Sequence, residues 1–84
     1  MVEVRIEETK DFSKARDKIK DNLFKLKIKK QIEKILENPE IGKPMKYKRK
    51  GTRELYIKPF RLSYAYLQNE KKVILLDVYH KDEQ

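Results

Sequence analysis

Arginine and histidine side chains in the second half of the chain are the residue types that phosphate chemistry needs. Arg53 and Arg61 lie eight residues apart, and His80 is followed directly by Lys81. A guanidinium binds a phosphate with two parallel hydrogen bonds, and histidine is the side chain best suited to proton transfer at neutral pH. In RNA the 2′-hydroxyl can itself attack phosphorus, so a protein need only hold the phosphate, stabilise its added charge and move two protons. These residues therefore indicate cleavage of RNA by its own 2′-hydroxyl.

Each of these residues also has a plainer interpretation. A terminal histidine such as His80 is often a solvent-exposed bystander, and Arg61 is equally well placed to pair with Glu54 across two strands. Whether Arg53 and Arg61 share a face of the sheet depends on strand parity, which the spacing alone leaves open. The catalytic hypothesis thus needs a structure that brings these side chains together.

Other kinds of chemistry lack the necessary residues. The chain has no Cys and one His, which excludes thiolate sites and leaves too few ligands for a structural zinc. Its two glycines, Gly42 and Gly51, cannot form a glycine-rich phosphate loop. Its carboxylates are too scattered along the sequence for a magnesium site. We expect neither a metal nor a cofactor.

A dense cluster of positive charge surrounds the two arginines. Residues 43–61 contain eight basic side chains and one acidic one, so this segment carries +7 of the chain's net charge of +8. Such a cluster favours a polyanionic partner, most commonly nucleic acid; a solubility patch or a landing site for an acidic protein are the alternatives. The residues predicted to contact RNA are Lys43, Lys46, Lys48, Arg49, Lys50, Lys58 and Tyr56, the last by stacking on a base.

Two helices are predicted to lie between an N-terminal strand and the basic segment. Residues 2–7 alternate apolar and polar as a strand does. Thr9 or Asp11 can cap a first helix, and a second helix follows the break at residues 21–22 and ends at about Asn38. The apolar stripes of the two helices are Phe12, Ala15 and Ile19, then Phe24, Ile28, Ile32, Ile35 and Leu36.

Four strand-like segments supply the sheet that these helices must cover. They are residues 45–49, 53–57, 60–68 and 72–79, and their short connections predict an antiparallel meander. On the third segment one parity is bulky and apolar, which puts Arg61 on the face opposite the helices. If the strands are neighbours, the arginines can converge with the His80–Lys81 pair at one sheet edge. The predicted order is β-α-α-β-β-β-β, an α+β fold.

The length and the hydropathy pattern bound the class of protein. Residues 1–84 have room for one domain with one core. No apolar run approaches ~18 residues, and the N-terminus is too polar for a signal peptide. We expect a cytoplasmic protein with no membrane partner.

Several strings, in order and at matching spacings, resemble the RelE/ParE superfamily of toxins from type II toxin–antitoxin pairs. They are Leu36–Pro39, Gly42–Pro44, Arg53–Leu55, Phe60–Tyr64 and Tyr79–Gln84. The similarity extends over essentially all 84 residues. It implies two helices packed on a twisted, mainly antiparallel sheet, the RelE-like fold of the microbial-ribonuclease type.

The resemblance also implies an activity and roles for individual residues. RelE-like and YoeB-like members are mRNA endonucleases of the ribosomal A site that need no metal, and the arginine at the position of Arg61 contacts the scissile phosphate. The YoeB-like branch makes His80 the general acid, whereas the RelE-like branch has a basic residue near Lys81. YoeB-like proteins place a general-base Glu where this chain has Met45, so the resemblance leaves the general base unidentified, and Glu54 is one candidate.

The implied partners are a cognate antitoxin, mRNA on the ribosome, and operator DNA reached only through the antitoxin. Two non-enzymatic alternatives remain within the superfamily: a ParE-like inhibitor of DNA gyrase, and a degenerate toxin that acts as a DNA-bound autoregulator with its antitoxin. A plain RNA-binding module is a third interpretation, which fits the charge but not the Tyr-His-Lys end of the chain.

Overall fold

Two helices lie against one face of a mixed β-sheet in the structure, a computed structural model that describes residues 4–47 and 50–80. Within these residues the sheet has five strands in the order β1-β5-β4-β3-β2. The predicted order β-α-α-β-β-β-β and the α+β class are confirmed. The elements are β1 (Arg5–Glu8), α1 (Lys10–Lys18), α2 (Asn22–Glu37), β2 (Lys43–Pro44), β3 (Thr52–Ile57), β4 (Phe60–Leu67) and β5 (Lys72–His80).

Both helices begin at side-chain caps: Thr9, one of the two residues predicted to cap α1, and Asp21, in the predicted break before α2. The Thr9 hydroxyl accepts a hydrogen bond from the Phe12 amide at 3.1 Å. The Asp21 carboxylate accepts from the amides of Leu23 and Phe24, at 2.9 and 3.3 Å. These bonds satisfy amides that a helix leaves unpaired in its first turn. Of these two helices, neither is long and apolar enough to cross a membrane.

The core lies between the helices and the sheet. Phe12, Phe24, Ile28 and Ile35 are buried on the helix side, as their spacing predicted. The buried side chains of the sheet are Ile57, Leu62, Tyr64, Val73, Leu75 and Val78. Because side chains alternate along a strand, the burial of Leu62 and Tyr64 directs Arg61 and Ser63 to the face that the helices leave uncovered. We call this uncovered side the open face.

Strands β2 to β5 form the predicted antiparallel meander, and β1 pairs in parallel with β5. The predicted strand 45–49 is wrong over residues 45–47, while Lys48 and Arg49 lie outside the described residues; β2 comprises Lys43 and Pro44, which pair with Glu54 and Arg53. Tyr47 has a φ of 60°, and its carbonyl accepts from the Lys50 amide at 3.0 Å. This left-handed residue turns the chain before an extended segment can continue.

Strand β5 contains a β-bulge at Leu76. Ser63 pairs with Asp77 while Tyr64 pairs with Leu75, so one step along β4 corresponds to two steps along β5 and Leu76 is the extra residue. Such an insertion shifts the side-chain alternation of the strand. Val73 and Leu75 face the helices before the bulge, and Val78 does so after it.

Candidate nucleic-acid interface

A shallow groove of about 680 Å³ runs along the open face beside β2. One wall is β2 with the irregular residues after it, and the other wall is the end of the β3–β4 hairpin. Its polar and aromatic lining consists of Lys43, Lys46, Tyr47, Glu54, Tyr56 and Arg61. We call it the basic groove. Its cations lie where the sequence predicted a polyanion site.

At one end of the basic groove, three side chains from three adjacent strands meet; we call them the Glu54 cluster. Glu54 of β3 is only 7% exposed. Its Oε1 lies 3.5 Å from Nη1 of Arg61 on β4, and its Oε2 accepts a hydrogen bond from the hydroxyl of Tyr79 on β5. A buried carboxylate is costly unless it is paired, so these two partners stabilise Glu54 in place. The plainer interpretation of Arg61, an ion pair with Glu54, is thus part of the structure.

Arg61 nevertheless remains accessible to a ligand. Its side chain is 36% exposed, and it contacts Glu54 through Nη1 alone among the contacts described. A guanidinium has five N–H donors. Arg61 can therefore bind an anion in the basic groove while it holds Glu54.

Arg53 lies on the other face of the sheet. It pairs with Tyr64, whose side chain is buried beneath the helices, and its Nη1 donates to the carbonyls of Glu40 and Gly42, both at 2.9 Å. The expectation that Arg53 and Arg61 share the open face is therefore wrong, because their separation in the paired strands has opposite parity. Arg53 holds the loop before β2.

The same loop is held by the buried hydroxyl of Tyr64. This hydroxyl donates to the Pro39 carbonyl at 2.8 Å and accepts from the Gly42 amide at 2.9 Å. A Cβ atom on Gly42 would lie 2.7 Å from the hydroxyl oxygen, so only glycine fits there. Burial raises the pKa of Tyr64, against the hydrogen bond from Gly42, which lowers it.

His80 lies on the helix side, away from Arg61. It pairs with Phe60, and their rings meet edge to face with centroids 5.5 Å apart. Phe60 in turn packs against Phe24 of α2, with ring centroids 4.7 Å apart. The expected convergence of His80 with Arg61 is therefore wrong, because the bulge reverses the alternation of β5. Lys81 lies outside the described residues, and its role stays a prediction.

The residues predicted to contact RNA are distributed around the basic groove. Lys43 and Lys46 line it, and Tyr56, 53% exposed, is the cross-strand neighbour of Arg61. Lys50 and Lys58 are exposed in the turns at the two ends of β3. Lys48 and Arg49 lie outside the described residues. Across residues 4–47 and 50–80, no three His, Cys, Asp or Glu side chains are grouped closely enough to hold a metal ion.

A family comparison identifies the class of protein to which this arrangement belongs. The model of the ParE toxin of the type II toxin–antitoxin system parDE matches residues 6–84. The chain belongs to the ParE toxin family. The predicted membership of the RelE/ParE superfamily is thus confirmed.

Solved structures share the fold of this ParE-family toxin at low sequence identity. The toxin–antitoxin complex RelBE2 of Mycobacterium tuberculosis contains a chain with a TM-score of 0.82 and 20% identity, covering 95% of this chain and 100% of that one. A YoeB/ParE toxin from Agrobacterium tumefaciens has a TM-score of 0.81 and 14% identity, with 92% and 98% covered. A conserved hypothetical protein of Helicobacter pylori has a TM-score of 0.68 and 26% identity, with 94% and 96% covered. A search of curated proteins found no relative.

Sequence reasoning missed Tyr79 of the ParE-family toxin. Unbroken alternation from Val73 and Leu75 would turn Tyr79 towards the helices. A signal was nevertheless present: the same alternation would bury the charge of Asp77 and expose Val78. A bulge between Leu75 and Asp77 removes that conflict.

Proposed function

We propose that this toxin inhibits translation by cleaving mRNA in the ribosomal A site as a metal-independent endoribonuclease. The observation that carries the proposal is the Glu54 cluster at one end of the basic groove. There, a carboxylate and a partly exposed guanidinium stand side by side, in a groove whose lysines attract a phosphate backbone. Such an arrangement supplies the proton acceptor and the anion clamp that 2′-hydroxyl attack needs.

In the proposed reaction, the 2′-oxygen of one nucleotide attacks the adjacent phosphorus. Its proton passes to the Glu54 carboxylate, and Arg61 binds the non-bridging oxygens as negative charge develops on them. The bond from phosphorus to the 5′-oxygen then breaks, that oxygen takes a proton from water, and the hydroxide that remains takes the proton held by Glu54. The products are a 2′,3′-cyclic phosphate and a 5′-hydroxyl end.

The surrounding residues bind the RNA without reading its sequence. Lys43 and Lys46 contact phosphates along the basic groove, and Tyr56 offers a ring beside the scissile phosphate on which a base can stack. Lys50 and Lys58, together with Lys48 and Arg49 of the predicted set, extend the positive field for docking on the ribosome.

A cognate antitoxin is the second partner in this proposal. An acidic or amphipathic segment of that antitoxin covers the basic groove and competes with RNA for Arg61. The solved complexes of RelBE2 from M. tuberculosis and of RelBE from Escherichia coli, which share this fold, are toxin–antitoxin complexes. Operator DNA is reached only through the antitoxin.

One observation favours a second candidate function, inhibition of DNA gyrase without catalysis. The matched family model is that of ParE, and the described residues place the only imidazole of the chain on the face away from Arg61. A protein that merely binds gyrase needs no proton donor in the groove.

The test is cleavage of a 5′-labelled message on programmed ribosomes by the purified toxin, with gyrase supercoiling measured in parallel. We expect a cut in the A-site codon whose upstream product carries a 2′,3′-cyclic phosphate, and supercoiling that continues unchanged. An intact message with gyrase inhibited would replace the proposal by the second candidate. An intact message with active gyrase would reject both.

A further inference from the structure

We propose that Tyr79 is a positioning residue for Glu54: its hydroxyl fixes the carboxylate in the orientation that accepts the 2′-hydroxyl proton. This inference rests on the proposed endonuclease function. It adds Tyr79, a residue that acts on Glu54 and does not itself contact the RNA substrate.

The bulge of β5 is what brings Tyr79 to the basic groove. Tyr79 lies directly across from Arg61 in the register of β4 and β5, and Glu54 lies across from Ser63 in the register of β3 and β4. Strand β4 separates the strands of the two residues, so the phenol and the carboxylate meet above it. The small side chain of Ser63 lies beside their meeting point on the open face.

The two carboxylate oxygens of Glu54 have different partners. Arg61 lies at Oε1 and the Tyr79 hydroxyl donates to Oε2. A carboxylate that is held at both oxygens cannot rotate freely about its last bond. The Arg61 contact is long, at 3.5 Å, so Arg61 alone orients the carboxylate only weakly.

Tyr64, which is buried beneath the helices, differs from Tyr79 because its hydroxyl has a purely structural role. The Tyr64 hydroxyl bonds backbone groups of the loop before β2, so its loss changes the fold around that loop. The Tyr79 hydroxyl bonds the side chain proposed as the base. Its loss should therefore change the rate of the chemical step and leave RNA binding intact.

The experiment compares Tyr79→Phe, Glu54→Gln and the double variant in single-turnover cleavage of ribosome-bound message. Tyr79→Phe should lower the cleavage rate constant roughly 10-fold, the size expected for one hydrogen bond to a charged group, with the Kd for the ribosome changed less than twofold. In the Glu54→Gln background the same change should have no further effect, because Tyr79 acts through Glu54. Tyr66→Phe, which removes a phenol hydroxyl on the helix side, is the matched control and should cleave as the wild type does.

A proton NMR signal gives a readout that does not depend on cleavage. Two hydrogen-bonded phenol protons, those of Tyr64 and Tyr79, should resonate downfield in the wild type and in Tyr66→Phe, and the Tyr79 signal alone should be missing from Tyr79→Phe. If Tyr79→Phe fails to fold, Glu54→Asp, which withdraws the carboxylate but keeps its charge, should likewise lose the signal and the rate.

The outcomes separate this inference from the proposed function. A wild type that leaves the message intact overturns both. A wild type that cleaves, with Tyr79→Phe equally fast, overturns the role of Tyr79 alone. A further loss of rate in the double variant relative to Glu54→Gln also overturns it, since Tyr79 would then act independently of the base.

Discussion

Arg61 serves two anions in the proposed mechanism, one of its own chain and one of the substrate. Glu54 is nearly buried and needs a cation beside it, whereas the groove side of the guanidinium is open. A fixed internal carboxylate restricts the guanidinium before RNA arrives, which reduces the entropy lost on binding phosphate. The same carboxylate also offsets part of the charge that attracts the phosphate. Because Arg61 must bind both Glu54 and the phosphate, we expect even a conservative substitution of Arg61 to affect activity.

Arg61→Ala should slow cleavage roughly 100- to 1000-fold, about 2.7–4 kcal/mol of transition-state stabilisation. Arg61→Lys should recover part of this, because an ammonium keeps the charge and loses the two-pronged geometry. Both variants should also melt at a lower temperature than the wild type, since Glu54 loses a partner. Single-turnover cleavage and thermal melts check these expectations.

Arg16→Ala is the matched control, since Arg16 pairs with Glu8 on the helix side. It should cleave at the wild-type rate. Equal rates for wild type and folded Arg61→Ala would remove Arg61 from the mechanism.

The position of Arg61 was predictable from the sequence and that of His80 was not. The apolar parity of β4 is uninterrupted, so the face of Arg61 follows from its neighbours Leu62 and Tyr64. The face of His80 depends on a bulge, which is a property of the pairing between two strands. The face of Arg53 was mispredicted for a related reason. It depends on the pairing of Arg53 with Tyr64, and the sequence spacing of two arginines does not determine that pairing.

The loop between α2 and β2 joins sequence strings that are far apart in the chain. Pro39 and Gly42 receive and donate hydrogen bonds at the Tyr64 hydroxyl, and Arg53 binds the carbonyls of Glu40 and Gly42. The loop leads directly into Lys43, the first residue of the groove wall. Four of the strings that resemble the RelE/ParE superfamily, those containing Pro39, Gly42, Arg53 and Tyr64, therefore hold this loop together.

Tyr64→Phe should destabilise the fold by about 1–3 kcal/mol, because it leaves an amide and a carbonyl without their partner. The raised pKa of Tyr64 adds a dependence on pH. The folded state favours the protonated phenol, so this contribution is fully present below the unfolded pKa of about 10 and is lost as the pH rises through the folded value. Urea unfolding at pH 8 and above pH 10 measures it.

Tyr66→Phe is the control for Tyr64→Phe, since it removes a hydroxyl two residues further along the same strand face. Its free energy of unfolding should stay within about 0.5 kcal/mol of the wild type. The wild-type advantage over Tyr64→Phe should shrink above pH 10. An advantage that grows there would contradict the assignment.

The helices were predicted more accurately than the first strand of the meander. Helix ends depend on local caps such as Thr9 and Asp21, and helix faces depend on local spacing. Strand β2 is only two residues long and exists because it pairs with β3. The positive φ of Tyr47 turns the chain shortly after β2. It could not be predicted from the sequence, because tyrosine does not favour a positive φ.

At the scale of the whole molecule, net positive charge is concentrated in residues 43–61, and three cations of this segment, Lys43, Lys46 and Arg61, line the basic groove. Outside residues 43–61 the two signs nearly balance, and ion pairs such as Lys72–Glu7 at 3.0 Å and Arg16–Glu8 form there. The basic groove therefore stands out as a local field that draws a polyanion to the open face.

Binding of a short single-stranded RNA should weaken steeply with salt, because the groove cations release counterions from its phosphates. Each phosphate contact contributes a slope of about −0.7 in log K against log salt. Lys43→Ala and Lys46→Ala should each make the slope shallower by about that amount and leave the cleavage position unchanged. Fluorescence anisotropy from 50 to 400 mM salt, roughly the range in which phosphate contacts are resolved, measures the slope.

Lys30→Ala, on the exposed side of α2, removes a lysine of the same length outside the groove. Its slope should match that of the wild type. A flat salt response, or an equal loss in Lys30→Ala, would reject the basic groove as the docking surface.

The bulge at Leu76 determines whether the phenol of Tyr79 or the imidazole of His80 lies on the open face. Two registers compete for the last residues of β5: one presents Tyr79 to the open face, and a straight strand would present His80 instead. The straight register would also turn the carboxylate of Asp77 inward and the apolar side chain of Val78 outward, which is unfavourable on both counts. Two neighbours that take no part in the proposed chemistry, Asp77 and Val78, therefore decide which of these two side chains lies on the open face.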